Sequence, residues 1–255
     1  MTAAAARCAE LPSADPRPLP LECHSCPVRK AALCGAVDAA SGEALAALGR
    51  RQRLAVVEGV AWQDEPSPVV GVVRGGIVQL TARRSGEGEQ IVGVARAGEF
   101  IGRPFGGPMP YAISAATDAE VCLFPRDGFD RLAIEHPDLG HALLTVTLDE
   151  LERTRRWLGM LGKKTSGQKV AAFVAEIAGL RTQADQAPLR ATVAELPFTR
   201  LQIADVLGLT FETVSRQFTM LRASGAIRPR PNRRLEIGDP ELLLALSGES
   251  ADSWH

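Results

Sequence analysis

Between about Leu54 and Phe129 the apolar positions fall in short, β-branched runs: Val69 to Val73, Ile77 to Thr81, Ile91 to Val94 and Val121 to Phe124. Arg74-Gly75-Gly76 and Ser85-Gly86-Glu87-Gly88 separate them as turn signals. Closely spaced short runs of this kind predict an antiparallel roll or barrel. The period then changes. Pro137 suits the first turn of a helix, and no proline follows it through Leu161. Within that span Leu144, Leu151 and Leu158 recur at heptad spacing, with Thr147, Thr154 and Leu161 at the companion positions. The spacing predicts a long helix with a coiled-coil seam interrupted by polar residues. Packing of that helix against its own domain is the alternative.

A third pattern runs from Phe198 to Ile227. Thr199 followed by Gln202 fits a capping box at the start of a helix whose inner face is Ile203, Ala204 and Leu207. Gly208 supplies a turn, Thr210 caps a second helix, and Val214, Phe218 and Leu221 recur at helical spacing as its buried face. This predicts a helix-turn-helix. Glu212, Ser215 and Arg216 then lie on the outer face near the N-terminal half of the second helix, the part that enters a major groove. Arginine donates two bonds to guanine, glutamate accepts from cytosine, and serine reaches a base edge or phosphate. A helical hairpin with an ordinary polar face is the bland alternative. Beyond it a basic hairpin is expected over Ile227 to Ile237. Arg228, Arg230, Arg233 and Arg234 surround its turn at Pro231-Asn232, as in a wing that touches phosphates or a merely solvated loop. A loose acidic tail is expected to close the chain.

Composition changes this picture little. The 255 residues allow two compact domains or one large one, and the net charge of -1 excludes a uniformly basic coat while leaving room for one basic face. The first twenty residues, with Pro12, Pro16, Pro18 and Pro20, read as a loose arm without a signal peptide, and no stretch reaches the roughly 18 apolar residues of a membrane span. The expected compartment is the cytoplasm, where the 5 cysteines are poor candidates for a disulfide framework.

Cys23, Cys26 and Cys34 form a C-x2-C-x7-C run beside Pro27. A short loop lets the first two thiolates converge, and the third reaches them if the intervening residues fold back. Three ligands leave one vacancy, so an iron-sulfur cluster, a zinc site, a thiol pair or no function all stay open. His24 is an available but awkwardly placed nitrogen. Cys122, in the last strand-like run, is a fourth candidate or simply a small buried apolar residue. Cys8 has no place in the pattern.

The run Leu207-Gly208-Leu209-Thr210-Phe211-Glu212-Thr213-Val214-Ser215-Arg216 resembles the recognition segment of Crp/Fnr transcriptional regulators, and its Glu-x-x-Ser-Arg arrangement resembles the Fnr branch. The resemblance implies an α+β fold. It comprises an arm with the cysteine cluster (1–35), a cyclic-nucleotide-binding-like β-roll sensor (36–135), a long dimerization helix (136–162) and a winged helix-turn-helix DNA-binding domain (163–255). It also implies a non-enzymatic homodimer that binds double-stranded DNA at a TTGAT-like inverted repeat and contacts RNA polymerase. Glu212 and Arg216 would read the G·C pair with Ser215 beside them, Thr210 and Thr213 would assist, and Arg233 and Arg234 would hold the backbone. In the oxygen-sensing members of that branch, N-terminal cysteines and one late-strand cysteine hold a 4Fe-4S cluster; Cys23, Cys26, Cys34 and Cys122 match them. In the cyclic-nucleotide branch, Gly-Glu and Arg-Ser pairs hold the ligand. Here Gly98-Glu99 is present, but Met109-Pro110-Tyr111-Ala112 stands where the cation would be, so Gly98-Glu99 is expected to be a retained turn. The competing readings are a small-ligand regulator whose cysteines bind zinc or nothing, and a dithiol or iron-sulfur redox protein.

Overall fold

A computed structural model describes residues 23–84, 88–180, 193–231 and 233–248. The proline-bearing arm with Cys8, the 85–87 part of the glycine turn, Asn232 and the tail after 248 lie outside the described residues. Three short 3-10 turns, Cys23–Ser25, Arg29–Ala31 and Leu33–Gly35, lead into α1 (Ala39–Leu48). The roll follows as β1 (Arg50–Leu54), β2 (Gly59–Ala61), β3 (Val69–Gly75), β4 (Ile77–Arg84), β5 (Gly88–Arg96), β6 (Phe100–Ile101), β7 (Ala112–Ala115) and β8 (Ala119–Pro125). Its strands form two antiparallel sheets, ordered β1-β8-β3-β6 and β2-β7-β4-β5. Strand alternation decides which residues meet. Val69, Val73, Val121 and Leu123 fill the roll interior. Val70, Val72, Cys122 and Phe124 face outward into a second core shared with Leu33, Leu45, Leu139 and Leu143.

After α2 (Arg126–Glu135), the long helix is α3 (Pro137–Lys163), with Pro137 in its first turn as expected. The C-terminal unit holds α4 (Ser166–Ile177), β9 (Val193–Glu195), α5 (Arg200–Leu207), α6 (Phe211–Ala223), β10 (Ile227–Arg230), β11 (Arg234–Ile237) and α7 (Pro240–Leu246). Its core reaches back to the roll and the long helix. Ile77 is buried in it, Ile91, Val94, Trp157 and Leu161 pack on it, and Trp157 meets Phe173 edge-on at 6.0 Å between ring centroids.

Several elements depart from the sequence reading. The chain after Ile237 is not loose at once: Asp239 caps α7 by accepting from the Leu242 amide, Pro240 occupies its first turn, and Leu243 is fully buried. The wing is more than the expected hairpin, because β9 pairs with β11 and widens it into a sheet ordered β10-β11-β9. β1, with the polar sequence Arg-Arg-Gln-Arg-Leu, is a strand because it pairs along β8, opposite Cys122 at Arg51. Such pairing partners are distant in sequence, and no local period announces them.

Candidate DNA interface and cysteine pocket

The capping box at Thr199 is present in full: the Gln202 amide donates to the Thr199 hydroxyl, and the Gln202 side chain accepts from the Thr199 amide. Gly208 ends α5 in the left-handed conformation, with φ 61°, so the next helix turns across it. Ile203, Ala204, Leu207, Val214, Phe218 and Leu221 are all buried, and the Arg200 guanidinium lies 3.2 Å from the centroid of Phe218. Burial against that ring pushes the Arg200 pKa down. This packing leaves Glu212 and Arg216 exposed on one face of α6, with Ser215 half-buried between them. Neither Glu212 nor Arg216 has a hydrogen-bond or ion-pair partner among the described residues, so their polar groups are available to a base edge. The Thr210 and Thr213 side chains are bonded to each other. The Thr210 hydroxyl accepts from the Thr213 amide at 3.2 Å and donates to the Thr213 hydroxyl at 3.1 Å. Thr210 thereby caps α6.

The wing arginines have partners of their own. Arg233 sits at φ 54° and donates to the Pro197 carbonyl at 3.0 Å, which ties the wing to the approach to α5. Arg234 lies 3.4 Å from Glu195, and Arg228 and Arg230 both meet Glu236. Exposed pairs contribute only about 0–1 kcal/mol, so Arg228, Arg230 and Arg234 remain exchangeable onto phosphate. On the long helix, Leu144, Leu148, Leu151 and Leu158 are 55%, 50%, 42% and 65% exposed, an apolar stripe left uncovered within the single chain. Leu148 widens the stripe from outside the two heptad positions, whereas Leu161 is partly buried against the chain's own C-terminal core. The Thr147 and Thr154 hydroxyls donate back to the Leu143 and Glu150 carbonyls, so the polar interruptions are satisfied internally.

At the other end Cys23, Cys26, Cys34 and Cys122 line one cavity with about 480 Å³ of atom-free space, partly open to solvent. Local structure brings them there. The 3-10 turns fold the cysteine run back on itself, and Gly35 permits this because a Cβ at that position would lie 2.2 Å from the Arg29 carbonyl oxygen. Gly71 performs the same service opposite Cys122, where a Cβ would lie 2.5 Å from the Cys122 carbonyl oxygen. Arg29 and Arg74 line the cavity, and among the described residues no carboxylate does. Desolvation pushes the Cys34 thiol up to about 11 and the Cys122 thiol up to about 12, with neighbouring thiols adding to the shift and Arg74 opposing it at Cys122. These folded values lie above the ordinary 9.0 of a thiol. Unfolding therefore releases protons above that pH, and the metal-free protein should lose stability as pH rises from about 9 to 12. A pulse of iodoacetamide, read by mass spectrometry, should label Cys122 in folded metal-free protein slowly at pH 8 and faster as the pH approaches 11.

The cysteine pocket is joined to the long helix. Leu33, beside Cys34, is buried against Leu139 and Leu143 of α3. The Asp38 amide and the Ser41 hydroxyl donate to the Asp138 carboxylate at 2.9 and 2.8 Å and hold it below the usual carboxylate pKa.

Comparison with known proteins decides the family. A family profile described as a Crp-like helix-turn-helix domain matches residues 168–246, and one described as a cyclic nucleotide-binding domain matches residues 53–136. A probable transcriptional activator of Rhizobium leguminosarum is 37% identical over 225 residues, covering 88% of this chain and 92% of that protein. The chain belongs to the Crp/Fnr family. Among its relatives, the transcriptional activator protein FnrL of Cereibacter sphaeroides is 33% identical over 90% of this chain and 93% of its own length. The structure of FixK2 from Bradyrhizobium japonicum superposes with a TM-score of 0.68 at 27% identity, covering 80% of this chain and 99% of that one. This Crp/Fnr protein is a DNA-binding transcriptional regulator, and no helix among its described residues is long and apolar enough to cross a membrane.

In this Crp/Fnr regulator Gly98-Glu99 does more than preserve a turn. Gly98 has φ 95° and approaches Ala31 of the cysteine segment. Glu99 accepts from the Arg96 side chain at 3.1 Å, from the Arg96 amide at 2.8 Å, and from Arg153 of α3. Arg96 in turn binds the Glu176 carboxylate of α4 at 3.2 Å. Burial opposes the charge of Arg153, yet Glu99 and Glu150 outweigh it and raise its pKa. Sequence reasoning missed this network because its members become neighbours only when roll, long helix and C-terminal unit meet.

Proposed function

We propose that this chain is a cytoplasmic, oxygen-responsive regulator that holds a 4Fe-4S cluster on Cys23, Cys26, Cys34 and Cys122 and binds a TTGAT-like inverted repeat as a homodimer. The observation that carries the reading is that cysteines from the start and the end of the sensor region line one cavity. The residues fit such a group. Four thiolates and a 4Fe-4S core carry net negative charge, and the cavity offers two guanidiniums, one of which has a buried Nε without a hydrogen-bond partner. A single zinc ion needs its four sulfurs within about 3.8 Å of one another, given bonds of about 2.3 Å. Among the described residues no His, Cys, Asp or Glu trio is gathered tightly enough for one ion. In a 4Fe-4S cluster each of the four cysteines would meet a different iron. Bound there, the cluster supplies an oxygen-labile link between the N-terminal segment and β8.

The chain's own part is to transmit the state of that link. A segment anchored to Cys122 holds Leu33 against α3 and Asp38 and Ser41 against Asp138. The uncovered leucines of α3 then supply the seam between two chains. Dimerization places two α6 helices about 34 Å apart, one turn of DNA, on a near-palindromic site. RNA polymerase is the further partner implied by relatives that are named transcriptional activators. A cyclic nucleotide in the roll is disfavoured: among the described residues the interior slot is lined by apolar side chains and Ser67, with no lysine or arginine to answer a phosphate.

Protein purified without air should carry about four iron and four sulfide per chain. Cys122→Ala should lose them together with tight, specific DNA binding. A colourless wild-type protein without iron, or one with zinc alone, would sink the proposal.

A further inference from the structure

We propose that Arg74 is the countercation of the cysteine pocket, a buried guanidinium that offsets the charge of the four thiolates and the group they hold, and so slows loss of that group in air. The inference rests on the cluster reading above. Val70 and Val72 lie on the outer face of β3, the Val72 position pairs with Cys122, and Arg74, the unpaired residue of a bulge between Val73 and Gly75, lines the same cavity. The Arg74 side chain is only 9% exposed. Its Nη1 donates to Glu120 at 2.7 Å, while its Nε is buried with no hydrogen-bond partner. The guanidinium lines the cavity together with Cys26 and Cys122.

An ordinary strand-to-strand ion pair does not account for this placement. Glu120 has Arg51 at 3.6 Å and Arg53 at 3.9 Å as further cations, so its charge does not require Arg74. Arg74, by contrast, points one donor at Glu120 and leaves another facing sulfur. Burying a guanidinium is costly unless its charge and donors are answered, and thiolates in the cavity answer both. A fixed cation disfavours removal of an electron from the group it faces. Passage of one electron from the cluster to dioxygen should therefore be slower with Arg74 in place.

The test uses the full chain, reconstituted without air, as wild type, Arg74→Met and Glu120→Gln. The readouts are iron and sulfide content, the midpoint potential of the cluster and the decay of its visible absorption in air. Arg74→Met should shift the potential negative and speed decay about tenfold, a reduced share of the effect of a unit charge in a pocket of effective dielectric about 20. Glu120→Gln should act with the opposite sign, because it removes the anion that partly neutralises Arg74. A purely structural pair would move both variants in the same direction, and that result overturns the proposal. So does an Arg74→Met protein that matches the wild type. If Arg74→Met does not fold or retains no iron, the sign of the Glu120→Gln shift decides: slower decay supports the proposal, and unchanged or faster decay overturns it. A wild-type protein without iron overturns this inference and the cluster reading together, whereas a wild-type cluster indifferent to both substitutions overturns only the role of Arg74.

Discussion

Arg216→Ala should weaken binding to the specific DNA site by about fivefold to 150-fold, the range of about 1–3 kcal/mol for a bidentate arginine-guanine contact. The physical basis is the packing of α6. Val214, Phe218 and Leu221 lock its inner face, so Arg216 is presented from a rigid helix with its fork unpaired. The loss should be confined to the cognate sequence, leaving binding to scrambled DNA nearly unchanged. Arg216→Lys should not restore it, since a lysine retains the charge and lacks the fork. Fluorescence anisotropy at one fixed salt concentration makes the comparison, because affinity for DNA falls steeply with salt. Arg234→Ala supplies the contrast. It should weaken all sequences alike and flatten the salt dependence by about one counterion. Equal losses on cognate and scrambled DNA for Arg216→Ala would remove it from the readers.

Glu99→Ala should cost about 3 kcal/mol of folding stability, measured by urea unfolding of the metal-free protein, the lower end expected when one partner is removed from a buried charge network. Its side chain is 16% exposed and joins Arg96 of the roll to Arg153 of α3. Removing it leaves those guanidiniums with Glu176 and the half-exposed Glu150 only. The cost should fall partly on the contact between roll and C-terminal unit, so limited proteolysis should separate the two more readily in the variant. A loss below about 0.5 kcal/mol would place the network with ordinary surface pairs. Gly98-Glu99 thus serves the coupling of roll, long helix and C-terminal unit.

The helix-turn-helix was legible in the sequence nearly residue by residue. Its caps, its turn glycine and its buried positions are governed by contacts within a few residues, and the capping box and the 3.6-residue period report such contacts directly. The long helix was legible for the same reason, down to a leucine stripe that the folded single chain leaves uncovered. The cysteine pocket was half legible. The N-terminal triplet and Cys122 could be named individually, but only strand register places Cys122 on the outer face of β8, opposite Val72 and under the folded-back cysteine segment. Arg74 carried a signal that was easy to pass over, a charged residue directly after the valine-rich run Val69 to Val73, and a bulge in β3 sets its direction.

By itself, then, the sequence determined the local chemistry of the DNA reader, the existence of a strand-rich sensor and a long amphipathic helix, and the supply of thiols. Tertiary structure alone decided which of these residues share a space. It gathered four cysteines and two arginines around one cavity, turned Leu161 inward while leaving its heptad companions outside, and spent Glu99 on Arg96 and Arg153. Local periods encode the face on which a residue lies. Register between distant strands and docking between domains arise from pairings that the chain makes only once it has folded.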